Sequence, residues 1–395
     1  MSPTIISAVH GTGNVQSERL VVDMSKSIAY LEPESSPLTV VLKRIRSEGA
    51  HNPKFNCLEA PDQPRWDAVD NPGGYTAAAA AIVVDNGTYF AAQDLIKVPR
   101  TGEVMLVTVV AANTLTVTRS YGTTAAAALN NDEPLLIIGN AHEEGAALGA
   151  IRTIQLEVFY NYTQIFRKPF GVTGTEAASL QYGGTDLSVT RRLQGIEHMK
   201  DIERALLFGE RALYTPTTAP ATTTHPLRLT GGVLSFVSTN IKDAGLDVTE
   251  NEVEDWLEDL FRYGSSSRLL FCSARWISII NGFARGKLQT VPKDQTYGIN
   301  LKEYLSGHGT LYIHKHKLLE GTIYGGYAIG IDVEDLAYRY LNANGENRDT
   351  KLRVDVGLKG TDAQQDEYLS ECGLYLVNEK KHGYIYGPQG RIWGS

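Results

Sequence analysis

Residues 60–145 carry short apolar runs separated by turns, and this pattern differs from the rest of the chain. The runs are rich in β-branched residues, and Asp85-Asn86-Gly87 and Ala112-Asn113 lie between them, where hairpin turns need residues that tolerate a positive φ. The spacing predicts an all-β insertion. Its strands are predicted at residues 82–84, 89–90, 95–98, 104–110 and 115–118.

A helical period follows the turn at residues 182–186. Apolar side chains recur there at three- and four-residue spacing, which predicts one helix over residues 187–213, roughly 40 Å long at 1.5 Å per residue. The opposite face carries charges of both signs and is interpreted as solvated or contact surface. The predicted core of this spine helix is Leu193, Ile196, Met199, Ile202 and Leu206, and the apolar stripe ends at Leu213.

A second unit follows the threonine- and proline-rich residues 214–226, which are interpreted as an exposed loop. Thr249-Glu250-Asn251-Glu252 is a capping box that opens a helix, and Gly264 ends that helix. The order of elements after it predicts a compact α/β unit. These elements are strands at residues 269–272, 311–313 and 327–329 and a helix capped by Ser273, and strands return at residues 352–356, 374–377 and 384–386.

The N-terminal segment begins with 22 small and polar residues, which predict an extended arm. Next come a short helical stretch, Pro33 and Pro37, and the apolar run at residues 38–42. Two prolines four residues apart interrupt a helix, so the apolar run is predicted to follow an extended or turn path.

Composition excludes several classes of function. The formal net charge of −8 disfavours general phosphate binding through summed positive charge. Cys57, Cys272 and Cys372 lack the spacing of a disulfide framework or a zinc site and are predicted to be buried thiols in a reducing compartment. No apolar stretch approaches the roughly 18 residues of a membrane span, so no membrane association is predicted.

The sequence contains none of the common signatures of phosphate-binding loops, serine hydrolases or zinc proteases. Its richest group of metal-ligating side chains is His308, His314 and His316. Two imidazoles on one face of a strand could hold a metal ion, but exposed edge residues are the simpler interpretation.

Two carboxylate pairs, Glu143-Glu144 and Asp366-Glu367, are interpreted as solvated surface, because neighbours in sequence point to different faces. Gly183-Gly184 precedes the long helix without a following lysine and is interpreted as a turn. We therefore predict that the protein is not an enzyme and has no catalytic, cofactor-binding or metal site.

Residues 23–38 resemble the N-terminal arm of a family of tailed-phage major head proteins. In that pattern an acidic residue begins a short helix, and a leucine-proline step leads to serine-proline. The pattern is carried here by Asp23, Ile28, Leu31, Pro33, Pro37 and Leu38. Other segments resemble the same family in the same order: residues 101–104 and 117–125 its β insertion, residues 161–166 the strand before its spine helix, and residues 378–379 and 382–385 its closing strands.

The resemblance implies an α+β protein with the Hong Kong 97-type capsid fold. That fold has an N-terminal arm, an extended loop that here carries an all-β insertion, a peripheral domain with a long spine helix, and an α/β axial domain. The predicted boundaries are 1–59 for the arm, 60–145 for the extended loop with its insertion, 146–229 for the peripheral domain, 230–350 for the axial domain and 351–395 for the return strands of the peripheral domain.

The resemblance also implies a major capsid protein that self-assembles into the icosahedral head shell enclosing phage double-stranded DNA. Its expected partners are copies of itself in hexamers and pentamers, together with scaffold, portal and decoration proteins, and packaged DNA contacted non-specifically. It is expected in the virion, after synthesis in the host bacterial cytoplasm. The alternatives are an encapsulin-like compartment shell and another structural virion protein.

Residues 1 to about 45 are expected to lie across a neighbouring subunit. The first part of this arm has too little apolar surface to offset the roughly 1 to 2 kcal/mol per residue that backbone ordering costs. Ile28, Leu31 and Leu38 nevertheless need burial. An extended segment with apolar anchors is suited to docking on a partner, so these anchors are predicted to be buried outside the subunit's own core.

Overall fold

A computed structural model shows a mixed α+β chain. The structure describes residues 36–145, 153–179, 186–214, 225–245, 248–283, 302–321, 324–358 and 360–387. The chain divides into two compact units: Leu58–Val158 is one, and Met1–Cys57 with Phe159–Ser395 is the larger. Among the described residues, no helix is long and apolar enough to cross a membrane.

The described helices are α1 (Pro37–Ile45), α2 (Gly174–Ala178), α3 (Asp186–Phe208), α4 (Val233–Phe236), α5 (Glu250–Phe261) and α6 (Ala274–Phe283). Strands of the first half are β1 (Ser47–Ala50), β2 (Lys54–Glu59), β3 (Trp66–Ala68), β4 (Ala81–Val83), β5 (Asp94–Lys97), β6 (Val104–Ala111), β7 (Thr114–Thr118), β8 (Pro134–Asn140), β9 (Glu157–Tyr162) and β10 (Gln164–Thr173). Strands of the second half are β11 (Ala212–Tyr214), β12 (Leu227–Leu229), β13 (Ile241–Asp243), β14 (Ser267–Cys272), β15 (Lys302–Leu305), β16 (Thr310–Lys315), β17 (Tyr327–Ile331), β18 (Leu336–Ala343), β19 (Glu346–Asn347), β20 (Lys351–Arg353), β21 (Ala363–Leu376) and β22 (Gly383–Tyr386).

The first sheet of the larger unit has the strand order β1-β18-β21-β10, with β20 also paired to β21 and β19 to β18. Its longest strand, β21, runs antiparallel to β10 from Gln164 opposite Cys372 to Thr173 opposite Ala363. Helix α3 packs on both of these strands. Separately, β2 and β9 form a two-stranded sheet, as do β11 and β12.

The second sheet of the larger unit has the order β13-β22-β17-β14-β16-β15. Helix α5 opens with the predicted capping box, because the Thr249 side chain accepts the Glu252 N–H and the Glu252 side chain accepts the Thr249 N–H. Helix α6 is capped as predicted, with Ser273 Oγ accepting the Trp276 N–H at 3.3 Å. Both helix caps that the sequence predicted are therefore confirmed.

Two apolar cores fill the larger unit. The first joins α1, α3 and residues of both sheets, among them Leu42, Ile202, Phe271 and Leu374. The second lies between the second sheet and helices α5 and α6, where Trp256 and Trp276 are buried. Most of the stability of the unit must come from this burial, at about 25 cal/mol per Å² of apolar surface removed from water.

The smaller unit is a six-stranded antiparallel sheet in the order β3-β8-β5-β6-β7-β4. A bridge between Val69 and Val84 links the strands at its two ends. Four predicted strands and the turn at Ala112, where φ is +49°, are confirmed. Residues 89–90 are not a strand: a 3-10 turn over Gly87–Tyr89 occupies that place, because Asn86 caps it by accepting the Thr88 N–H. Strands β3 and β8 were not predicted.

The path predicted for residues 38–42 is wrong, because they lie in helix α1. Pro37 is its first helical residue, where the missing N–H costs nothing and the fixed φ suits a helix. Leu38, Val41 and Leu42 are fully buried in the first core of their own subunit. The expectation that Leu38 is buried outside its own core is therefore also wrong, whereas Asp23, Ile28, Leu31 and Pro33 lie outside the described residues.

The spine helix is shorter than predicted, since α3 ends at Phe208. Gly209 ends it where the chain before α4 passes close by: a Cβ on Gly209 would lie 2.5 Å from the Thr230 carbonyl oxygen. Leu213 consequently lies in β11 and is exposed. Of the predicted core residues, Ile202 and Leu206 are fully buried, Met199 packs against the core, Ile196 is half-buried, and Leu193 is exposed.

The return strands were predicted as one group, but they divide between the two sheets. β20 and β21 belong to the first sheet. β22 instead joins the second sheet, antiparallel to β17 and parallel to β13. The period-two pattern predicts strands at these places but carries no information on which sheet receives them.

Replacing Ile202 with Asp should prevent folding, because it puts an unpaired charge in an apolar site and costs more than about 4 kcal/mol. Leu193→Asp is the matched control on the same helix, since Leu193 is 43% exposed, and it should keep a cooperative melt. Circular dichroism with thermal melting measures both. A folded Ile202→Asp variant would show that this face of α3 is not core.

Candidate functional site

A buried carboxylate on the spine helix anchors the first described helix. Glu203 is fully buried. Its Oε1 accepts the Leu38 N–H at 2.7 Å, and its Oε2 accepts the Thr39 N–H at 2.7 Å and the Thr39 hydroxyl. These amides belong to the first turn of α1, where the helix has donors without internal acceptors and a positive dipole end. Glu203 thus caps α1 from a distance of 164 residues in sequence.

A buried imidazole provides a further hydrogen bond to Glu203. His316 Nδ1 accepts the Leu318 N–H at 3.2 Å, so its proton is assigned to Nε2, which donates to Glu203 Oε1 at 2.8 Å. The interpretation of His316 as an exposed edge residue is therefore wrong, because it is fully buried. We call α1, Glu203 and His316 the arm anchor.

A second contact fixes the other end of α1. Lys43 Nζ lies 3.1 Å from Asp349 Oδ1 and 3.1 Å from Thr350 Oγ1. The Tyr338 hydroxyl donates to the same Asp349 oxygen at 2.8 Å. Burial raises the pKa of Asp349, but the Lys43 charge and hydrogen bonds from Thr350 and Tyr338 outweigh it and hold the pKa below its usual range. Both ends of α1 are thus tied to distant parts of the chain by charged groups.

Two further histidines are buried at strand junctions. His198 Nε2 lies 2.7 Å from Ser370 Oγ, which joins α3 to β21. His382 Nδ1 accepts the Asp332 N–H at 3.2 Å, and its Nε2 donates to the Val377 carbonyl at 3.3 Å. Burial lowers the pKa of His198 and lowers that of His382 to about 4. Both imidazoles are thus neutral structural groups near pH 7.

Asp366 and Glu367 are not solvated surface as predicted, because both are buried. Their side chains do point to opposite faces: Asp366 pairs with Arg191 of α3 at 2.7 Å, and Glu367 pairs with Arg167 at 2.5 Å. Burial raises the pKa of Asp366, but a hydrogen bond from the Asp355 N–H and the Arg191 guanidinium hold it below its usual range. The pair is structural, whereas Glu143 and Glu144 are exposed as predicted.

The part of the chain that the structure describes also contains potential metal ligands and three thiols. No group of three or more potential ligands could hold a metal ion there. Cys57, Cys272 and Cys372 are free and buried as predicted, and burial raises the pKa of Cys272 and Cys372 to about 12, so their thiols are unreactive. Gly183-Gly184 lies outside the described residues.

The sequence did not predict the arm anchor. Glu203 is one of the charged residues of the long helix that were interpreted as solvated or contact surface, and His316 was grouped with His308 and His314. The charge pattern of a helix cannot distinguish one buried carboxylate from its solvated neighbours. The only sign of its burial in the sequence is its position: Glu203 follows Ile202 and precedes Leu206 by three residues, on the stripe predicted to face the core.

Comparisons with known proteins agree with one another. The sequence profile of the family described as SU10 major capsid protein matches residues 7–389. A curated major capsid protein of Pseudomonas phage PaMx41 is 27% identical over 339 residues, which are 79% of this chain and 79% of that protein. The capsid of a native GTA particle aligns with a TM-score of 0.51 and 8% identity, over 96% of this chain and 99% of that one. The SrpI encapsulin of Synechococcus elongatus PCC 7942 aligns with a TM-score of 0.42 and 11% identity, over 61% of this chain and 80% of that one.

The fold shared with the GTA capsid and the match to a capsid profile place the protein in the class of shell-forming capsid subunits. The chain belongs to the SU10 major capsid protein family and is a major capsid protein of a phage. The predicted family and function are thereby confirmed, and the encapsulin-like alternative is not better supported.

Replacing Glu203 with Gln should destabilise the subunit by about 2 to 3 kcal/mol, because an amide nitrogen then faces buried donors. Thr39→Val removes only one hydroxyl from the same carboxylate and should cost about 1 kcal/mol. Urea unfolding of the two variants measures the difference. Equal losses would show that the capping bonds to the α1 backbone contribute little.

Stability should fall as pH drops from about 6.5 towards 4. The unfolded chain binds a proton at His382 near pH 6.5, whereas the folded chain does so only near 4, so the stability is fully present above 6.5. Protonation of His382 should lower the free energy of unfolding by about 3 kcal/mol, and protonation of His198 should lower it further. Urea unfolding at several pH values measures the slope. The His382→Asn variant has no titratable group at this position, so its free energy of unfolding should depend less on pH. An unchanged slope would show that other groups cause the pH dependence.

Proposed function

We propose that copies of this chain form the hexamers and pentamers of an icosahedral phage head shell that encloses double-stranded DNA. The observation that carries the proposal is the family match over residues 7–389, which spans both compact units. A match of that length favours a role for the whole chain over a role for one domain. The proposed location is the virion, after synthesis in the cytoplasm of a bacterial host.

The proposed domains follow the Hong Kong 97-type plan. Helix α3 with the β10-β21 sheet would form the peripheral domain, and the sheet from β13 to β15 with α5 and α6 the axial domain. The unit Leu58–Val158 would be the insertion in the extended loop. The assembly role of the arm is proposed for the residues before α1, because α1 itself lies in its own subunit's core.

The proposed partners are copies of the chain, with scaffold, portal and decoration proteins during assembly. The net charge of −8 argues for weak and non-specific contact with packaged DNA. We propose no enzymatic activity, and this is supported by the structural role of the buried titratable groups around the arm anchor.

Negative-stain microscopy of the expressed chain, alone and with the proteins of its phage, tests the proposal. We expect closed particles of uniform size, and particles that form in the phage background should protect DNA from nuclease. Tubes or fibres would favour another virion role, and particles filled with a protein cargo would favour an encapsulin-like compartment. Failure to form any particle in either background would contradict shell formation.

Two truncations separate the assembly role of the arm from its role in folding. Deleting residues 1–35 leaves the arm anchor in place, so the free subunit should keep its melting transition but fail to assemble. Deleting residues 1–45 removes α1 from the core and exposes buried Glu203, so it should abolish the cooperative melt. Sizing with light scattering and thermal melting give both readouts. Normal particles from the shorter truncation would remove the assembly role.

A further inference from the structure

Two arginines share one carboxylate where the first sheet begins. Arg46 Nε lies 2.8 Å from Glu48 Oε1, and Arg339 Nη2 lies 2.6 Å from Glu48 Oε2. Glu48 and Arg339 are direct neighbours in the parallel pairing of β1 with β18. One arginine is enough to neutralise Glu48, so the second arginine leaves one surplus positive charge at this place.

The ring of Tyr375 fixes both guanidinium groups. Arg339 Cζ lies 4.8 Å from the ring centroid and Arg46 Cζ lies 5.5 Å from it. Burial raises the pKa of Tyr375, so the ring stays uncharged near neutral pH and attracts the two cations through its π face. A guanidinium that is already held in place loses little further freedom when it binds a ligand. We call Arg46, Glu48, Arg339 and Tyr375 the arginine cluster.

The surplus charge of the arginine cluster is not neutralised by a second carboxylate. Among the described residues, Arg46 and Arg339 make no ion pair except with Glu48. The hydrogen bond to Glu48 and, more weakly, the charge of Asp335 raise the pKa of Arg46. Asp335, however, is itself paired with Lys381 at 2.5 Å. Three cations thus stand against two carboxylates here, although the whole chain has a formal net charge of −8.

Both arginines keep N–H groups that a ligand can use. Arg46 donates from Nε to Glu48 and from Nη1 to the Glu334 carbonyl oxygen at 3.3 Å, so its Nη2 has no partner in the described part of the chain. Arg339 contacts Glu48 through Nη2, which leaves Nη1, whereas its unpartnered Nε is buried. The two side chains are 39% and 21% exposed, so solvent reaches them. Because one carboxylate already spans both guanidiniums, a second oxyanion of similar size can bridge their remaining N–H groups.

We propose that the arginine cluster binds one small phosphate-type anion, which bridges Arg46 and Arg339. The planar guanidinium fork matches the oxygen spacing of a phosphate, and the surplus charge favours an anion over a neutral ligand. Inorganic phosphate and the terminal phosphate of a nucleotide share this chemistry. Because Glu48 competes for the same two arginines, the expected dissociation constant is in the millimolar range.

The bound anion would act on the junction between α1 and the first sheet. Arg46 is the residue at which α1 ends, and Arg339 lies in β18. An anion that bridges them ties the end of α1 to the sheet and removes the repulsion between the two cations. This role is independent of whether the chain forms a shell.

Equilibrium dialysis of the full-length protein against radiolabelled inorganic phosphate tests the site. Saturable binding of one phosphate per chain is expected, and Arg46→Gln and Arg339→Gln should each weaken it about tenfold. The matched control is Arg44→Gln, which removes the same charge from an exposed side chain outside the cluster and should change the affinity less than about twofold. Absence of saturable binding, or an equal loss in the Arg44→Gln control, overturns the proposal.

A variant that strengthens binding guards against general damage to the fold. Glu48→Gln removes the competing carboxylate and its repulsion of the anion, so it should tighten phosphate binding about fivefold. Adding Arg339→Gln to that variant should abolish the gain. Thermal melting without phosphate identifies the variants that remain folded. Unchanged or weaker binding by a folded Glu48→Gln variant contradicts the proposed site.

Thermal melting in phosphate separates binding at the cluster from a general salt effect. Phosphate is excluded from protein surfaces and stabilises folded proteins without saturation. A bound phosphate should instead raise Tm in a saturable way at constant ionic strength, and Arg339→Gln should lose only that saturable part. An increase that is linear in phosphate and equal in both proteins argues against a site.

Competition identifies the source of the anion. ATP that displaces labelled phosphate at a lower concentration than unlabelled phosphate assigns the cluster to nucleotides, and weaker displacement by ATP assigns it to free phosphate. Both results support a phosphate-type ligand. Binding of duplex DNA by the cluster without any binding of phosphate overturns the proposal and assigns this surface to packaged DNA.

Discussion

Burial of one carboxylate constrains how the larger unit is put together. An ion moved out of water is stable only if its acceptor capacity is filled. Glu203 meets this condition by drawing in two amides and a hydroxyl from α1 and an imidazole from the end of β16. Helix α1, helix α3 and the end of β16 are far apart in sequence, and all three must be in place for these hydrogen bonds to form. These hydrogen bonds need donor and acceptor atoms at defined distances and angles, whereas the apolar packing around Ile202 and Leu206 is not directional.

The order in which the sheets close follows from their topology. The first sheet needs β21 beside β10, and the second needs β22 beside β13 and β17. Both strands lie in the last part of the described chain, so neither sheet is complete until that part is in place. Pairings between residues some 200 positions apart are slow to form, because the loop entropy is lost before the contacts are gained. A subunit with an incomplete C-terminal part would lack both finished sheets.

Local sequence signals predicted the helices, strands and turns better than they predicted the sheet or core in which each of these elements packs. The capping box at Thr249, the cap at Ser273 and the turn at Ala112 are local chemistry, and each was correctly predicted. Pro37 was interpreted as a breaker although it starts a helix, because the two roles look alike until the capping group is known. The arm anchor and the sheet that receives β22 depend on partners more than 100 residues away, about which a single sequence says little.

The smaller unit enters and leaves the chain at neighbouring places. Its ends, at Leu58 and Val158, fall in β2 and β9, which pair with each other. A segment inserted between two paired strands can change in length and sequence without changing the register of those strands. It also has an apolar core of its own. Such a layout marks the β2-β9 junction as a natural point for exchanging one module for another, because the strands on the other side of the junction keep their own pairings.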